Sequence, residues 1–273
     1  MRIAISGASG LLGTALTARL GGEHEIVRLV RRPSTTMLER RWDPAGGFVE
    51  GLGLSDIDAV INLSGADLGA RRWTPARRRE LLTSRVEPSR TLARLIAAEE
   101  RPQLYVCASA VGYYGSTGDR LIDESAPTGS GFLADLCRQW ESAGRGAGVR
   151  TVHLRTGLPL TRKGGYLGRL LPFYRAGLGG RIGNGLMWLP VLVLDDWLAA
   201  VVHILGSELS GPVNLTGPDP VVQADFIAEL GRLIRRPTVL ATPLPPVRIA
   251  FGADMVDQTL LASNRVVPKV LLE

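Results

Sequence analysis

Short β-type runs alternate with helical patterns, a glycine loop joins the first run to the first helix, and the rhythm breaks after Gly157. Together these predict an α/β fold, a doubly wound parallel sheet followed by a small C-terminal lobe. The first strand is Ile3-Ala4-Ile5, the first helix Leu11 to Leu20 and the second strand Glu25 to Val30. Gly46, Gly47, Gly51 and Gly53 mark the next stretch as a loop, and Ala59 to Leu63 is again a strand. Thr74-Pro75 places a hydroxyl at an N-cap and proline at the first helical position, opening a helix that runs toward Glu99. Leu104 to Ala108 and Val149 to Leu154 read as buried strands, with the helix Phe132 to Ala143 between them.

Residues 161–190 carry Gly164-Gly165, Gly179-Gly180, Gly183 and Gly185, with one short helix near Leu167 to Arg175. A connection of that length in a compact domain is usually functional. Val191 to Leu194 resumes a strand, Asp195 or Asp196 caps the helix Trp197 to Leu205, Val213 to Leu215 is a strand and Gln223 to Arg235 a helix. The expected division is a nucleotide core over 1–160, with 191–217 returning to it, and a small substrate lobe from 161–190 and 218–273.

The chain of 273 residues has a net charge of +6, carried almost wholly by arginine, since Lys163 and Lys269 are its only lysines. The arginines lie in short scattered clusters without aromatic interleaving, a pattern that argues against nucleic acid and leaves an anionic small molecule as partner. Arg2 to Ser6 begins a strand with no apolar leader before it, and Asp195 and Asp196 interrupt the longest apolar stretch, Trp188 to Leu205. The expectation is a cytoplasmic protein without a membrane partner, monomeric or homodimeric. Cys107 and Cys137 read as buried small hydrophobes, His153 as a core residue, and no spacing suits a metal.

Gly7-Ala8-Ser9-Gly10-Leu11-Leu12-Gly13 stands between first strand and first helix. A dinucleotide pyrophosphate needs a tightly turning backbone it can approach closely, and the free N–H groups of a helix start. The pattern therefore predicts a Rossmann-type dinucleotide site. The second strand ends Leu29-Val30-Arg31-Arg32-Pro33, where an NAD site would carry a carboxylate for the ribose 2′-hydroxyl. Arginines there pair instead with a 2′-phosphate, so the expected cofactor is NADP(H).

The segments GASGLLG, VRRP, INLSGA (61–66), RRWTPARRRELLTSR (71–85), SAVGYYG (109–115) and RTGLPL (155–160) together resemble one family. It is the epimerase-like group of atypical, extended short-chain dehydrogenases/reductases, described as nucleoside-diphosphate-sugar epimerases. GLGGRIGNG (177–185) and GPVNLTGPDPV (211–221) resemble it too, so the likeness spans nearly the whole chain. It implies a Rossmann core and a nicotinamide cofactor with no settled substrate. By the same resemblance Gly7, Ser9, Gly10, Leu11, Leu12 and Gly13 form the phosphate loop, Arg31 and Arg32 surround the adenosine phosphate, and Leu63 and Ser64 line the ribose. Glu80 and Arg85 are either a cofactor-facing pair or helix-surface charge, and Leu158 presents backbone to the nicotinamide amide.

Members of the wider superfamily use a tyrosine as acid/base with a lysine four residues later. The corresponding helix here reads Phe132-Leu133-Ala134-Asp135-Leu136-Cys137-Arg138, and no lysine precedes residue 163. Tyr113 and Tyr114 are the candidate substitutes, either as proton donors or as an aromatic wall, with Ser109 as the supporting hydroxyl. Arg138 is a partial substitute for the lysine's charge. Asp123 and Glu124 are surface charge or a substrate clamp, and Arg175 and Arg181 are surface charge or an anion site. The family segment Trp-x-x-Trp-Ile-His-x-Asp-Asp reads Trp188-Leu189-Pro190-Val191-Leu192-Val193-Leu194-Asp195-Asp196, losing the second tryptophan and the histidine, and the family pattern runs into a last helix about where Glu273 stands. Two functions follow: an NADP(H)-dependent oxidoreductase or epimerase acting on a small anionic substrate, or an NADP(H)-binding regulatory protein without chemistry.

Overall fold

The computed structural model describes residues 1–273. The chain runs β1 (Arg2–Ser6), α1 (Leu11–Leu20), β2 (Glu25–Val30), β3 (Glu39–Asp43), β4 (Phe48–Val49), β5 (Ala59–Asn62), α2 (Pro75–Ala97) and β6 (Leu104–Ala110). There follow a 3₁₀ turn over Val111–Tyr114, α3 (Phe132–Gly144), β7 (Arg150–Thr156), β8 (Leu158–Leu160) and α4 (Gly165–Arg175). The last third holds β9 (Trp188–Leu189), β10 (Val191–Val193), α5 (Leu194–Gly206), β11 (Gly211–Leu215), β12 (Val221–Val222), α6 (Gln223–Ile234) and α7 (Leu244–Phe251).

Eight strands form the main sheet in the order β11-β7-β6-β5-β1-β2-β3-β4, parallel except for the last pair. Parallel strands need crossover helices, which cover both faces and bury both sets of side chains. Ile3, Ile5, Ile61, Val106 and Leu154 accordingly meet Leu16, Leu20, Trp197 and Val201 of α1 and α5 on one face. Ala4, Val27, Val60, Tyr105 and Cys107 meet Leu81, Leu92, Ile96, Leu133 and Trp140 of α2 and α3 on the other. Cys107 and Cys137 are both buried and unpaired by a disulfide. No helix is long and apolar enough to cross a membrane.

The structure corrects three local expectations. The glycine stretch at 46–53 includes a β-hairpin, with Trp42 opposite Val49, that adds two strands to the sheet. β3 reads Glu-Arg-Arg-Trp-Asp, and at an edge only Glu39 and Trp42 are buried, so no apolar alternation marks it. Helix α5 starts at Leu194 with Val193 at the N-cap and no side-chain cap. Asp195 and Asp196 sit in its first turn, where they meet the positive end of the helix dipole. The late strand Val191–Val193 pairs with β8 and lies outside the main sheet.

Residues 161–190 and the region after 218 meet in a small core of Leu171, Tyr174, Ile227 and Leu230, and β9 pairs antiparallel with β12. The tail then returns along the 3₁₀ turn's outgoing loop. Thr117 N donates to Ser263 O at 2.7 Å, and Val267 N to Ile122 O at 3.0 Å.

His153 on β7 is buried, but its Nδ1 has no partner. Burial pulls its pKa from 6.5 down to about 4. The fold thus favours the neutral ring, and its contribution is complete above pH 6.5 and lost as pH falls toward 4. The full difference is on the order of 3 kcal/mol. Urea unfolding of the wild type is expected to show stability declining across this window, and His153→Leu to flatten that decline. An equal slope in the variant would assign the acid sensitivity to other groups.

Candidate functional site

The carboxyl ends of β1 and β5 build the floor of a cleft. Gly7 leaves β1 with φ of 70°, and a Cβ there would stand 2.5 Å from the Leu63 carbonyl oxygen. A Cβ on Gly13 would drive into the Gly7 carbonyl and come within 2.8 Å of Ala8 Cα. Only glycine permits either approach. Gly10 N closes the turn on Gly7 O at 3.0 Å, and the helical bonds of α1 begin with Thr14 N to Gly10 O at 2.9 Å. Gly10 caps α1 without a side chain, so the amides of Leu11, Leu12 and Gly13 stay open at the positive end of the helix. Ser9 is exposed at the loop's tip.

A buried polar chain holds the other wall. Asn62 Oδ1 accepts from Ser6 Oγ at 2.7 Å and from Ser64 N at 3.1 Å. Asn62 Nδ2 donates to Ser89 Oγ at 2.9 Å and to Tyr105 OH at 3.1 Å, and Ser64 Oγ donates to Ser6 Oγ at 3.0 Å. This fixes Leu63 and Ser64 beside Gly7. Leu63 and Ser64 are legible in the sequence, whereas Ser6, Asn62, Ser89 and Tyr105 lie unmarked within its expected strands and helix.

The basic turn after β2 divides into two unlike arginines. Arg32 forms a bidentate pair with Glu39, Nη1 to Oε2 at 2.8 Å and Nη2 to Oε1 at 2.7 Å. Arg28 adds a contact of 2.9 Å, and Thr35 donates to the same carboxylate from its amide and hydroxyl. The Arg32 bonds, with those of Thr35, hold the Glu39 carboxyl down at about 2. Arg31 is exposed and outside this cluster.

Glu80 and Arg85 face different ways. Glu80 is exposed and pairs with Arg77 at 2.7 Å and Arg71 at 3.6 Å. Arg85 is buried and donates to Ala66 O at 2.9 Å and Leu81 O at 3.0 Å. Leu158 opens β8 and donates its amide to Pro190 O at 2.7 Å. Gly164 and Gly165 lie over the phosphate loop, where a Cβ on either would touch the Leu11 methyls at 3.4–3.5 Å. Beyond them, Arg169 of α4 pairs with Asp67 across the cleft.

Where β6 and β7 end, five elements share one buried network. Arg155 Nε and Nη2 grip Glu141 at 2.8 and 3.0 Å, and Ser109 Oγ donates to Glu141 Oε1 at 2.7 Å. Arg155 Nη1 donates to Tyr114 OH at 2.8 Å, which donates to Asn214 Oδ1 at 2.7 Å. Asn214 N donates to Glu124 Oε1 at 2.9 Å, while Glu124 Oε2 is buried without a partner. Burial works against the charge of Arg155, but the Glu141 carboxylate more than offsets it. Burial pushes the Tyr114 phenol up to about 12. Ser109 and Tyr114 thus have both hydroxyls committed inside the protein.

Tyr113 is half-buried, with its hydroxyl outside this network. Its ring meets Tyr114 edge-on at 5.4 Å and lies 3.6 Å from the Arg155 guanidinium carbon. The face of α3 where the superfamily's pair would stand is packed shut: Leu133 and Cys137 lie against Gly112, and burial pushes the Cys137 thiol up to about 12. Arg138 points outward and pairs with Asp135, so it brings no charge to the cleft. Asp123 is held by Ser125 and Lys269. Arg175 and Arg181 are exposed without acid partners within reach, and no group of His, Cys, Asp or Glu is arranged to hold a metal.

The parallel sheet, glycine cradle and open helix start define a dinucleotide-binding protein of the doubly wound class. The model of the NAD dependent epimerase/dehydratase family matches residues 3–133. An epimerase family protein of Mycobacterium bovis is 43% identical over 98% of this chain and 90% of its own length. The chain belongs to this epimerase family. The crystal structure of the human epimerase family protein SDR39U1 with NADPH superposes with a TM-score of 0.92 at 31% identity, covering 100% of this chain and 92% of that one. A nucleoside-diphosphate sugar epimerase from Corynebacterium glutamicum gives 0.79 at 32% identity, over 100% of this chain and 54% of that one.

Removing one member of a buried pair leaves its partner's charge uncompensated, at a cost of about 3–5 kcal/mol. Glu141→Ala is expected to lose that much in urea unfolding, whereas Glu141→Leu with Arg155→Met loses far less than the sum of the two single changes. Additive losses would mean that the pair is not a unit.

Proposed function

We propose that the protein binds NADP(H) across the carboxyl edge of the sheet and transfers hydride to or from a small anionic substrate, as an oxidoreductase or epimerase. The observation that carries this is the uncapped glycine cradle together with Arg31, a free guanidinium at the end of β2 beside a carboxylate, Glu39, already neutralised by Arg32. The structure of the human family member with NADPH supports the same reading. The amides of Leu11, Leu12 and Gly13 receive the pyrophosphate, Arg31 the 2′-phosphate, and Leu63 and Ser64 the ribose. When bound, the nicotinamide supplies or accepts a hydride. We assign the segments 161–190 and 218–273 to the lobe that holds the substrate, with Arg175 and Arg181 available to its anionic group.

Tyr113 is the residue we place against the reacting carbon. Its phenol is the one hydroxyl of the three candidates still free to give or take a proton at its own oxygen, and Arg155 holds its ring in place. A second reading, a cofactor-binding regulator without chemistry, draws on the apolar Leu133–Cys137 face of α3 and the committed hydroxyls of Ser109 and Tyr114.

Calorimetric titration is expected to give NADPH an affinity about ten- to a hundredfold above NADH, the worth of one charge-assisted contact. Arg31→Ala removes most of that preference by deleting the phosphate contact, and Arg32→Ala also lowers it, because the Glu39 carboxylate loses its bidentate partner. Equal affinity of the wild type for both nucleotides would sink the assignment. Following the reduced nicotinamide band across carbonyl compounds and nucleotide sugars separates the two functions. Turnover that falls at least about a hundredfold in Tyr113→Phe, with NADPH affinity unchanged, establishes the enzyme. Tight binding without turnover anywhere on the panel favours the regulator.

A further inference from the structure

Arg85 is a buried cation with no carboxylate to balance it. It is 7% exposed, and its hydrogen bonds go only to the carbonyls of Leu81 and Ala66. The one carboxylate whose charge reaches it, Asp67, is already paired with Arg169. Burial lowers its pKa only to about 10, so it carries its charge at neutral pH.

Strand order says which half of a dinucleotide lies above it. Arg31 stands at the end of β2, so the adenosine half extends from the glycine loop to that side of β1. The nicotinamide half then extends to the other side, over β5, β6 and the loops that leave them. Arg85 sits directly beneath one of those loops, its guanidinium carbon 3.1 Å from where a Gly65 Cβ would stand. The same guanidinium lies 5.2 Å from the Trp140 ring on α3. It therefore delivers, from α2, a positive charge to the helix whose own lysine position is apolar.

We infer that Arg85 sets the redox preference of this site, holding reduced NADPH in favour of NADP⁺. The inference rests on the NADP(H) reading above. The nicotinamide ring is neutral when reduced and carries a positive charge when oxidised, so an unbalanced cation in the low-dielectric floor opposes only the oxidised form. The wild type prefers NADPH, and neutralising position 85 tightens NADP⁺ while leaving NADPH nearly unchanged. A tenfold change in that ratio moves the midpoint potential of the bound two-electron couple by about 30 mV.

The experiment is titration of the full chain with NADPH and, separately, NADP⁺, for the wild type, Arg85→Lys, Arg85→Gln and Arg85→Met, with a thermal melt of each. The expected result is a wild-type preference for NADPH of about tenfold or more, kept in Arg85→Lys and reduced about tenfold in Arg85→Gln and Arg85→Met. Arg85→Gln retains a donor for the Ala66 carbonyl, so it carries the test if Arg85→Met does not fold. A preference that survives in Arg85→Gln and every folded neutral variant overturns the inference and leaves NADPH binding standing. A wild type that binds neither nucleotide brings down the cofactor reading and this inference with it.

Discussion

Burying the Arg155 guanidinium against Glu141 obliges everything around it to supply hydrogen bonds. The two side chains are 4% and 2% exposed, and an ion pair so dry is tolerable only when the remaining donors and lone pairs are met. Ser109, Tyr114 and the Glu124 carbonyl meet them, drawing β6, the 3₁₀ turn and the 124 loop onto the end of β7. Asn214 extends the network to β11, and through the Val267 carbonyl to the returning tail. The wall beside the proposed nicotinamide half is tied together by hydrogen bonds because a charge lies under it. The same demand consumes the hydroxyls of Ser109 and Tyr114 and leaves Tyr113 lying across the guanidinium with its own hydroxyl free.

At Leu63 and Ser64 the opposite wall is held by neutral groups, and the Arg85 guanidinium enters only further along the loop, at Ala66. Ser6, Asn62, Ser89 and Tyr105 form a fully buried chain of neutral donors and acceptors that reaches the Ser64 amide. Neutral groups cost less to bury than ions, and a connected chain leaves none of its central atoms unmet. That economy suits a surface on which a close backbone approach, Gly7 against Leu63, must hold its distance. The two walls differ in kind: one positions a ring by charge, the other a loop by amide and hydroxyl geometry.

What the sequence revealed and what it hid follow from the range of each interaction. The glycine loop, the Thr74-Pro75 helix start and the strand boundaries Glu25–Val30 are legible because their causes lie within a few residues. Arg31 and Arg32 are adjacent and chemically identical, and only Glu39 separates them. Glu39 begins a strand too polar to be recognised, so the pairing that occupies Arg32 had no local signature. Ser109, Tyr113 and Tyr114 likewise share a segment of six residues. Their different fates are decided by Glu141, Arg155 and Asn214, up to 100 residues away.

The apolar face of α3 shows the same limit in reverse. A motif written along one helix asks whether that helix carries a lysine, and here the answer is no. Side chains four apart on a helix share a face, so the lost pair and the Leu133–Cys137 pair occupy one surface, which packs against Gly112. Arg138, the next cation along the chain, falls on the outer face and pairs with Asp135. The charge comes instead from α2, where Arg85 reaches the Trp140 side of α3 under the Gly65–Ala66 loop. An electrostatic requirement fixes where a charge must stand and leaves open which helix provides it. On the proposed reading the cation stands on α2 in place of α3, and the proton donor, Tyr113, on the 3₁₀ turn after β6 in place of a helix.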